Sequence, residues 1–511
     1  MPDAPSPDDA APTPHGASGE GLYAGEVSAQ DLTHPESLAP HRVRVPAEEG
    51  GLWSPSRRPL TIGLVLTITL VAAEALAVAT AMPIVARELD GHELYGLVFS
   101  AFLVGSLVGI VVAGSLIDRR GVVLPFVLGL SLFTIGLVLA GVAQSMEMLI
   151  AARLIQGIGG GAIPPIAYVA IGRSLPQHLR PRMFATLSTA WILPGVVGPG
   201  IAGIVAETFS WRWIFLGLLP LIALSGAMAY RGLRSLAAAP AGSGGSGGTR
   251  IRDGLIVALG VAILTTGLAG DSPPLIIGLG GAGLALTWWA FARLAPPGTL
   301  RAARGYPTAV LLRGFLTFAF FSVDVYVALL LVEVRGFSAA GAGIAITAAT
   351  LAWTIGSWTQ ARLSSRYPHE WFVRIGFPVV AVGIAGLGAV LLPGVPAWLA
   401  VPIFAVCGFG MGLTYAQFAL IVLQDVPRDS QGAVTAGLTL SDALGTALGT
   451  SVGAAFISAS ARADLGPAPG LAAAIAIGTV VAILGWLLAP RLQARLHEAH
   501  PRTAEASGGL R

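Results

Sequence analysis

Long apolar runs separated by short polar segments dominate the chain between about residues 60 and 490. Leu94 to Ile117 and Val122 to Ala143 contain no charged residue, and the segment between them contains Asp118, Arg119 and Arg120. A helix of about 20 apolar residues crosses a hydrocarbon core of roughly 30 Å, so this pattern predicts a polytopic, all-α integral membrane protein. The fourteen predicted transmembrane helices start near residues 60, 94, 122, 147, 185, 213, 254, 275, 307, 340, 371, 397, 433 and 470.

Composition agrees with this pattern and excludes several kinds of chemistry. Charged residues are 11% of the chain and hydrophobic residues 54%, whereas soluble domains average about 25% charged. The sequence has no lysine, so the Gly-rich stretch from Gly157 to Gly161 is not a phosphate-binding loop, and a lysine Schiff base is excluded. Cys407 is the single cysteine, which rules out an internal disulfide and favours a buried, unreactive thiol.

The arginines indicate the orientation of the helices in the membrane. With the N-terminus inside, twenty arginines fall in cytoplasmic segments and four, Arg87, Arg212, Arg335 and Arg462, fall on the opposite side. The positive-inside rule therefore places both termini in the cytoplasm of a multi-pass protein of the cell (inner) membrane.

The chain divides by composition into tails, two helical halves and an insertion. The first fifty residues are rich in Pro, Ala and acidic residues and lack apolar periodicity, and a Gly/Ser-rich stretch lies near residue 245. We predict a disordered cytoplasmic tail (1–58), an N-terminal six-helix half (59–232), a cytoplasmic linker (233–253), an inserted transmembrane hairpin (254–295), a C-terminal six-helix half (296–495) and a cytoplasmic tail (496–511).

The two halves show a faint internal similarity. The sequence from Gly114 to Arg119 at the end of the second helix has a partial echo, from Gly356 to Arg362, at the end of the tenth. Gln360 takes the place of the acidic residue in this echo. Two six-helix halves related by an axis along the membrane normal are typical of one large class of transporters.

Several motifs in order along residues 60–495 resemble those of the major facilitator superfamily, and in particular of its fourteen-helix drug:proton antiporter branch. The resemblance implies two six-helix halves plus an inserted two-helix hairpin. The helix 5 motif is partial, since Pro194 and Ala202 stand where glycine is usual. The motifs are Gly114-x-x-x-Asp118-Arg119-x-Gly121, Leu149-x-x-x-Arg153-x-x-Gln156-Gly157-x-Gly159, Glu74 to Pro83, Trp211 to Phe215, and Gly198-Pro199 with Gly203.

In the family, the first of these motifs latches the two halves together on the cytoplasmic side. The resemblance therefore implies a gating role for Gly114, Asp118, Arg119 and Gly121. Gly198-Pro199 interrupts the backbone hydrogen bonds of helix 5, so we predict a bend or hinge at this point.

Charged residues inside the apolar runs are the candidate coupling residues, because each costs about 3 kcal/mol on insertion scales. They are Glu74, Arg153, Asp324 and Asp442. A rise of about 1.5 Å per residue puts Glu74 and Arg153 at similar depths, so we predict that they face each other. Protonation of Glu74 would loosen this pair and couple proton movement to transport. The alternative is a static ion pair that holds two helices together.

Asp442 lies near the middle of the thirteenth run, above Gly445, Gly449 and Gly453. Small residues at four-residue spacing allow close helix packing, so we predict that this face points into the bundle. Asp442 is a candidate second proton site or a group that binds a cationic substrate, and a hydrogen bond to a neighbouring helix is the alternative. Asp324 lies near the outer end of its helix and ranks lower.

These features together predict a proton-coupled exporter of a small amphipathic or drug-like compound that works by alternating access. A proton-coupled importer and a non-transporting membrane sensor or lipid-handling protein are the alternatives. No catalytic constellation is evident, so we expect no enzyme activity, cofactor or metal site. The expected partners are the small-molecule substrate, protons and the lipid bilayer. We expect no nucleic-acid partner and a monomeric protein.

Overall fold

The computed structural model describes residues 50–234, 236, 247–268 and 272–493, and this part of the chain is helical without β-strands. Short 3₁₀ and π segments extend several helices. The α-helices are α1 Arg58–Glu88, α2 Tyr95–Arg120, α3 Val123–Gly141, α4 Met146–Ser174, α5 Arg180–Thr189, α6 Ile192–Val205, α7 Arg212–Leu216, α8 Leu219–Leu233, α9 Gly247–Leu268, α10 Pro273–Leu275, α11 Gly281–Leu294, α12 Tyr306–Asp324, α13 Val327–Leu329, α14 Ala339–Leu363, α15 His369–Val390, α16 Ala400–Asp425, α17 Gln431–Arg462 and α18 Pro467–Leu488.

Twelve helical stretches in the described residues are long and apolar enough to cross a membrane, and a bent helix pair adds a thirteenth. The sequence predicts fourteen spans. The run predicted near residue 340 forms α14, which has 25 residues and is not among the twelve. The run predicted near residue 185 is divided into α5 and α6, and the run near residue 213 is divided into α7 and α8.

The helices form two similar bundles, α1–α8 and α12–α18. Within each bundle, glycines bring two helices into backbone contact. A Cβ on Gly105 of α2 would meet the carbonyl of Leu154 in α4, and a Cβ on Gly356 of α14 would meet the carbonyl of Phe409 in α16. The pairs α2–α4 and α14–α16 therefore pack in the same way, which gives structural support to the internal similarity of the sequence.

Helices α9 and α11 pack against each other as a hairpin, and α9 also packs on α2. Asp253 at the base of the hairpin is buried and accepts a hydrogen bond from Arg293 Nε at 3.1 Å. Because α9 already begins at Gly247, the predicted linker ends earlier than residue 253.

The predicted boundaries of the tails are only partly within the described residues. α1 begins at Arg58, two residues before its predicted start near residue 60, and Leu52 before it is 5% exposed and its carbonyl accepts a hydrogen bond from Thr61 Oγ1. The rest of the N-terminal tail, most of the Gly/Ser linker and the tail at 496–511 lie outside the described residues.

The two bundles meet along α2 and α17, and along α5 and α14. The end of the molecule at which α2 ends, next to Asp118, is called the Asp118 end below. The far end, where α1 ends at Glu88, is called the opposite end.

Candidate functional site

A buried polar cluster lies inside the N-terminal bundle. Arg153 Nη1 donates hydrogen bonds to Glu74 Oε1 and, at 2.7 Å, to Gln156 Oε1. The guanidinium of Arg153 lies over the ring of Phe102, 4.3 Å from its centroid. Glu74 and Gln156 are 0% exposed and Arg153 2%. The predicted contact between Glu74 and Arg153 is confirmed, and the cation–π contact further stabilises the buried charge.

Three atoms of this cluster are buried without a hydrogen-bond partner among the described residues: Glu74 Oε2, Arg153 Nε and Gln156 Nε2. Leaving a polar atom of a charged group unpaired in an apolar interior is costly. A proton on Glu74 Oε2 would remove the negative charge at the oxygen that has no donor. A proton at this oxygen would not displace a hydrogen bond of the described residues.

A second buried ion pair lies in the C-terminal bundle. Arg313 Nε donates to Asp442 Oδ1 at 3.0 Å, and Tyr415 Oη donates to Asp442 Oδ2 at 3.0 Å. Arg313 also donates to the backbone carbonyl of Tyr415 and lies over its ring. The Arg313 side chain is 1% exposed, while that of Asp442 is 21% exposed. Asp442 is thus the accessible member of the pair.

This second pair also connects the two bundles. Arg313 Nη2 lies 3.3 Å from the hydroxyl of Tyr168 in α4, in a geometry that allows donation. Below Asp442, Cβ atoms on Gly445 and Gly449 would meet the backbone of α12, so the prediction that this face of α17 points into the bundle is confirmed.

Of this second cluster, the sequence predicts Asp442 but not Arg313, Tyr168 or Tyr415. Arg313 lies in the apolar run that forms α12, so it is an intramembrane charge of the same kind as Glu74. Tyr168 and Tyr415 are uncharged, and nothing in the sequence separates them from ordinary packing residues.

Asp118 joins α2 to the first turn of α17. Its Oδ1 accepts a hydrogen bond from the backbone N–H of Gly432 at 2.7 Å, and its Oδ2 accepts one from that of Ala433 at 2.8 Å. A carboxylate at a helix N-terminus satisfies free N–H groups and interacts favourably with the helix dipole. Gly114 packs one turn earlier against Ala436. The motif in the N-terminal half is therefore bonded directly to the C-terminal half.

The other two residues of this motif have different environments. Gly121 ends α2 with a φ of 73°, a conformation that favours glycine. Arg119 is exposed in the last turn of α2, where a cation interacts favourably with the helix dipole.

The echo in the C-terminal half makes a weaker contact of the same kind. Gln360 is 0% exposed, and its Nε2 lies 3.5 Å from the carbonyl of Pro181 at the start of α5. Its Oε1 accepts a hydrogen bond from Gln417, which in turn contacts Nδ1 of His369 at 2.8 Å. Each bundle thus reaches the start of a helix in the other, but only Asp118 does so with a charged group.

The remaining predicted site residues lie apart from these clusters. Asp324 is the last residue of α12, half-buried and without a hydrogen bond or ion pair among the described residues. At Gly198-Pro199, the helical segments on either side bend by 44°. A Cβ on Gly198 would have no atom within 4 Å, so close packing does not require glycine there.

The two bundles are closed at the Asp118 end. Arg173 Nη2 donates to the carbonyl of Arg428 at 2.9 Å, and the hydroxyls of Ser188 and Ser357 lie 3.0 Å apart. In the described part of the chain, hydrogen bonds between the bundles run from Tyr168, inside α4, to the Asp118 end. These hydrogen bonds therefore hold the two bundles together toward the Asp118 end.

Comparison with known proteins gives consistent matches. The family model "Major Facilitator Superfamily" matches residues 64–450. The chain is 36% identical over 170 residues to Multidrug resistance protein 3 of Bacillus subtilis (strain 168), and this match spans 33% of each chain. It is 27% identical over 410 residues to a probable multidrug-efflux transporter of Mycobacterium tuberculosis (strain ATCC 25618 / H37Rv), which covers 76% of this chain and 86% of that protein.

Two solved structures have a similar fold. The human organic anion transporter MFSD10 (TETRAN) superimposes with a TM-score of 0.63 at 16% identity, over 85% of this chain and 99% of that one. The proton:xylose symporter XylE superimposes with a TM-score of 0.61 at 14% identity, over 84% and 95%. At such identities the likeness concerns the fold alone.

Proposed function

The chain belongs to the Major Facilitator Superfamily and is a multi-pass membrane transporter, and from this premise we propose that it exports a small amphipathic or drug-like compound in exchange for protons. The observation that carries the proposal is the sealed Glu74–Arg153 pair, with one carboxylate oxygen left unpaired. Two relatives whose names refer to multidrug resistance or efflux support an amphipathic substrate.

We assign the chain to the fourteen-helix drug:proton antiporter branch. At about 1.5 Å per residue, the 25 residues of α14 extend about 37 Å, enough to cross the hydrocarbon core. Counting α14 and the bent α5–α6 pair with the twelve spans gives fourteen. The α9–α11 hairpin then supplies the two helices between the six-helix halves.

Proton coupling rests on the competition between Arg153 and a proton for Glu74. With Glu74 ionised, the ion pair holds α1 to α4. With Glu74 protonated, Arg153 keeps only Gln156 and Phe102 as partners, and the two helices are free to shift. Asp442, bonded to Arg313 but more accessible, is the second candidate proton site or the group that meets a cationic substrate.

Reconstituted protein with an imposed pH gradient tests this function. Ethidium and a panel of neutral amphipathic dyes serve as substrates, and a pH-sensitive dye reports proton flux. We expect Glu74→Gln to lower proton-driven transport at least about tenfold, since it removes the titrating group. Glu88→Gln is the matched control, because Glu88 lies on the same helix and pairs with Arg212 at the exposed opposite end.

A double variant separates coupling from stability. Glu74→Gln combined with Arg153→Gln removes both charges, so it relieves the unpaired arginine that the single variant leaves in the interior. A static ion pair predicts that the double variant regains proton-driven transport. Coupling through Glu74 predicts a folded protein that stays uncoupled. Substrate flux along the proton gradient would instead indicate an importer, and absence of flux with every dye would contradict drug export.

A further inference from the structure

A groove of about 550 Å³ runs along the outside of the N-terminal bundle between α3 and α8. Its lining is mainly apolar, and Val127, Ile135 and Tyr230 on its rim are 41%, 49% and 42% exposed. Gly226 makes room for it, because a Cβ there would meet the side chain of Leu130. The groove therefore lies on the face that a membrane protein presents to lipid.

The groove is elongated along the helix axes. On α3, its lining residues recur over three turns from Phe126 to Ile135, a length of about 13 Å at 1.5 Å per residue. The hydroxyl of Thr134 donates to the carbonyl of Leu130 at 2.7 Å, so this lining residue has its polar atom satisfied within the helix. A long, narrow, apolar recess parallel to the membrane normal fits an extended acyl chain.

Positive charge collects where the groove reaches the Asp118 end. Arg234 follows the groove residues Ala227 and Tyr230 by seven and four positions, so it lies on the same face of α8, one turn further on. Arg231 and Arg234 are both exposed, and neither forms an ion pair within the described residues.

We propose that the α3–α8 groove binds one acyl chain of an anionic phospholipid, whose phosphate contacts Arg231 and Arg234. Juxtamembrane arginines attract anionic lipids of the cytoplasmic leaflet, and the positive-inside rule assigns the Asp118 end to that leaflet. Tyr230 lies between the apolar groove and the arginines, at the depth where amphipathic aromatic side chains meet headgroups. This site stands on its own geometry and is independent of the substrate and of proton coupling.

Native mass spectrometry of the full-length protein with defined lipids tests the site. Phosphatidylglycerol is the anionic lipid, and phosphatidylethanolamine with the same acyl chains is the zwitterionic comparison. We expect tighter binding of one phosphatidylglycerol. Arg231→Gln with Arg234→Gln should weaken this binding at least tenfold and remove the preference, whereas Ala227→Phe should weaken the binding of both lipids by filling the groove.

The control is Arg301→Gln with Arg304→Gln, an exposed arginine pair at the same end of the C-terminal bundle. Melting temperature and elution volume verify that each variant is folded, and Ser131→Phe is a second groove-filling change if Ala227→Phe is unstable. Equal loss in the control pair would show surface attraction without a site. Equal binding of the two lipids, or undiminished binding after the groove is filled, would also overturn the proposal.

Discussion

The two intramembrane carboxylates differ in how water and substrate reach them. Glu74 is completely buried and has one unpaired oxygen, whereas Asp442 has hydrogen bonds to both oxygens and a side chain that is 21% exposed. Under the proposed coupling, a proton would reach Glu74 only after the surrounding helices move. Asp442 is already accessible in this conformation. The two residues are therefore suited to different steps of a transport cycle.

The Arg313–Asp442 pair gives a stability prediction. Asp442→Asn leaves the buried guanidinium of Arg313 without its counter-charge, and breaking a buried pair costs about 3–5 kcal/mol. We expect a loss near 3 kcal/mol, because Arg313 keeps its bond to the Tyr415 carbonyl. The melting temperature of the purified protein should fall, and adding Arg313→Gln should recover most of it. A double variant as unstable as the single one would contradict this account.

The sequence predicts some of these residues better than others. The contact between Glu74 and Arg153 was predicted from their similar depths, which were estimated by counting residues along each helix. Arg313 gives the same signal and was predictable. Its partners Tyr168 and Tyr415 were not, because a tyrosine in a transmembrane helix is recognised as a partner only when the rotation of each helix about its axis is known.

Among the helices, the unequal contacts of α2 and α14 across the interface allow a second prediction. The charged carboxylate of Asp118 accepts hydrogen bonds from two backbone N–H groups of α17. The neutral amide of Gln360 makes a single, longer hydrogen bond to α5. Hydrogen bonds to charged groups contribute about 1.5–3 kcal/mol and neutral ones about 0.5–1.5. Asp118→Asn should therefore impair transport in everted vesicles several-fold more than Gln360→Ala. Similar losses in the two variants would count against this asymmetry.

The sequence predicts a helix boundary well where charged residues follow an apolar run. It predicts a boundary poorly where the apolar run continues without a charged residue. α3 begins within one residue of its predicted start because Asp118, Arg119 and Arg120 separate it from the apolar part of α2. The division between α5 and α6 falls at Ala190 and Trp191. Both residues are uncharged and common in transmembrane helices, so the sequence does not mark the break. The start of α9 at Gly247 was missed because its first residues are glycine and threonine, which read as linker.

In the molecule as a whole, hydrogen bonds of the described residues join the two bundles toward the Asp118 end. The direct contacts between the bundles include α2 with α17 and α5 with α14, and their hydrogen bonds reach from Tyr168 to the Asp118 end. Under the proposed orientation this end is cytoplasmic, so the two bundles are joined on the cytoplasmic side. Alternating access then requires the bonds at Asp118, Ser188 and Ser357 to break in every cycle.

A crosslink across this interface provides the test at this scale. Ser188 and Ser357 lie in different bundles with their hydroxyls 3.0 Å apart, so cysteines at these positions are close enough to be joined by an oxidant. Cys407 is buried, and Cys407→Ser leaves the introduced pair as the sole thiols. Oxidation should abolish transport by the double-cysteine protein, and a reductant should restore it. Each single-cysteine variant serves as control and should be unaffected by the oxidant. Full transport by crosslinked protein would mean that the Asp118 end need not open, and alternating access between these two bundles would have to be abandoned.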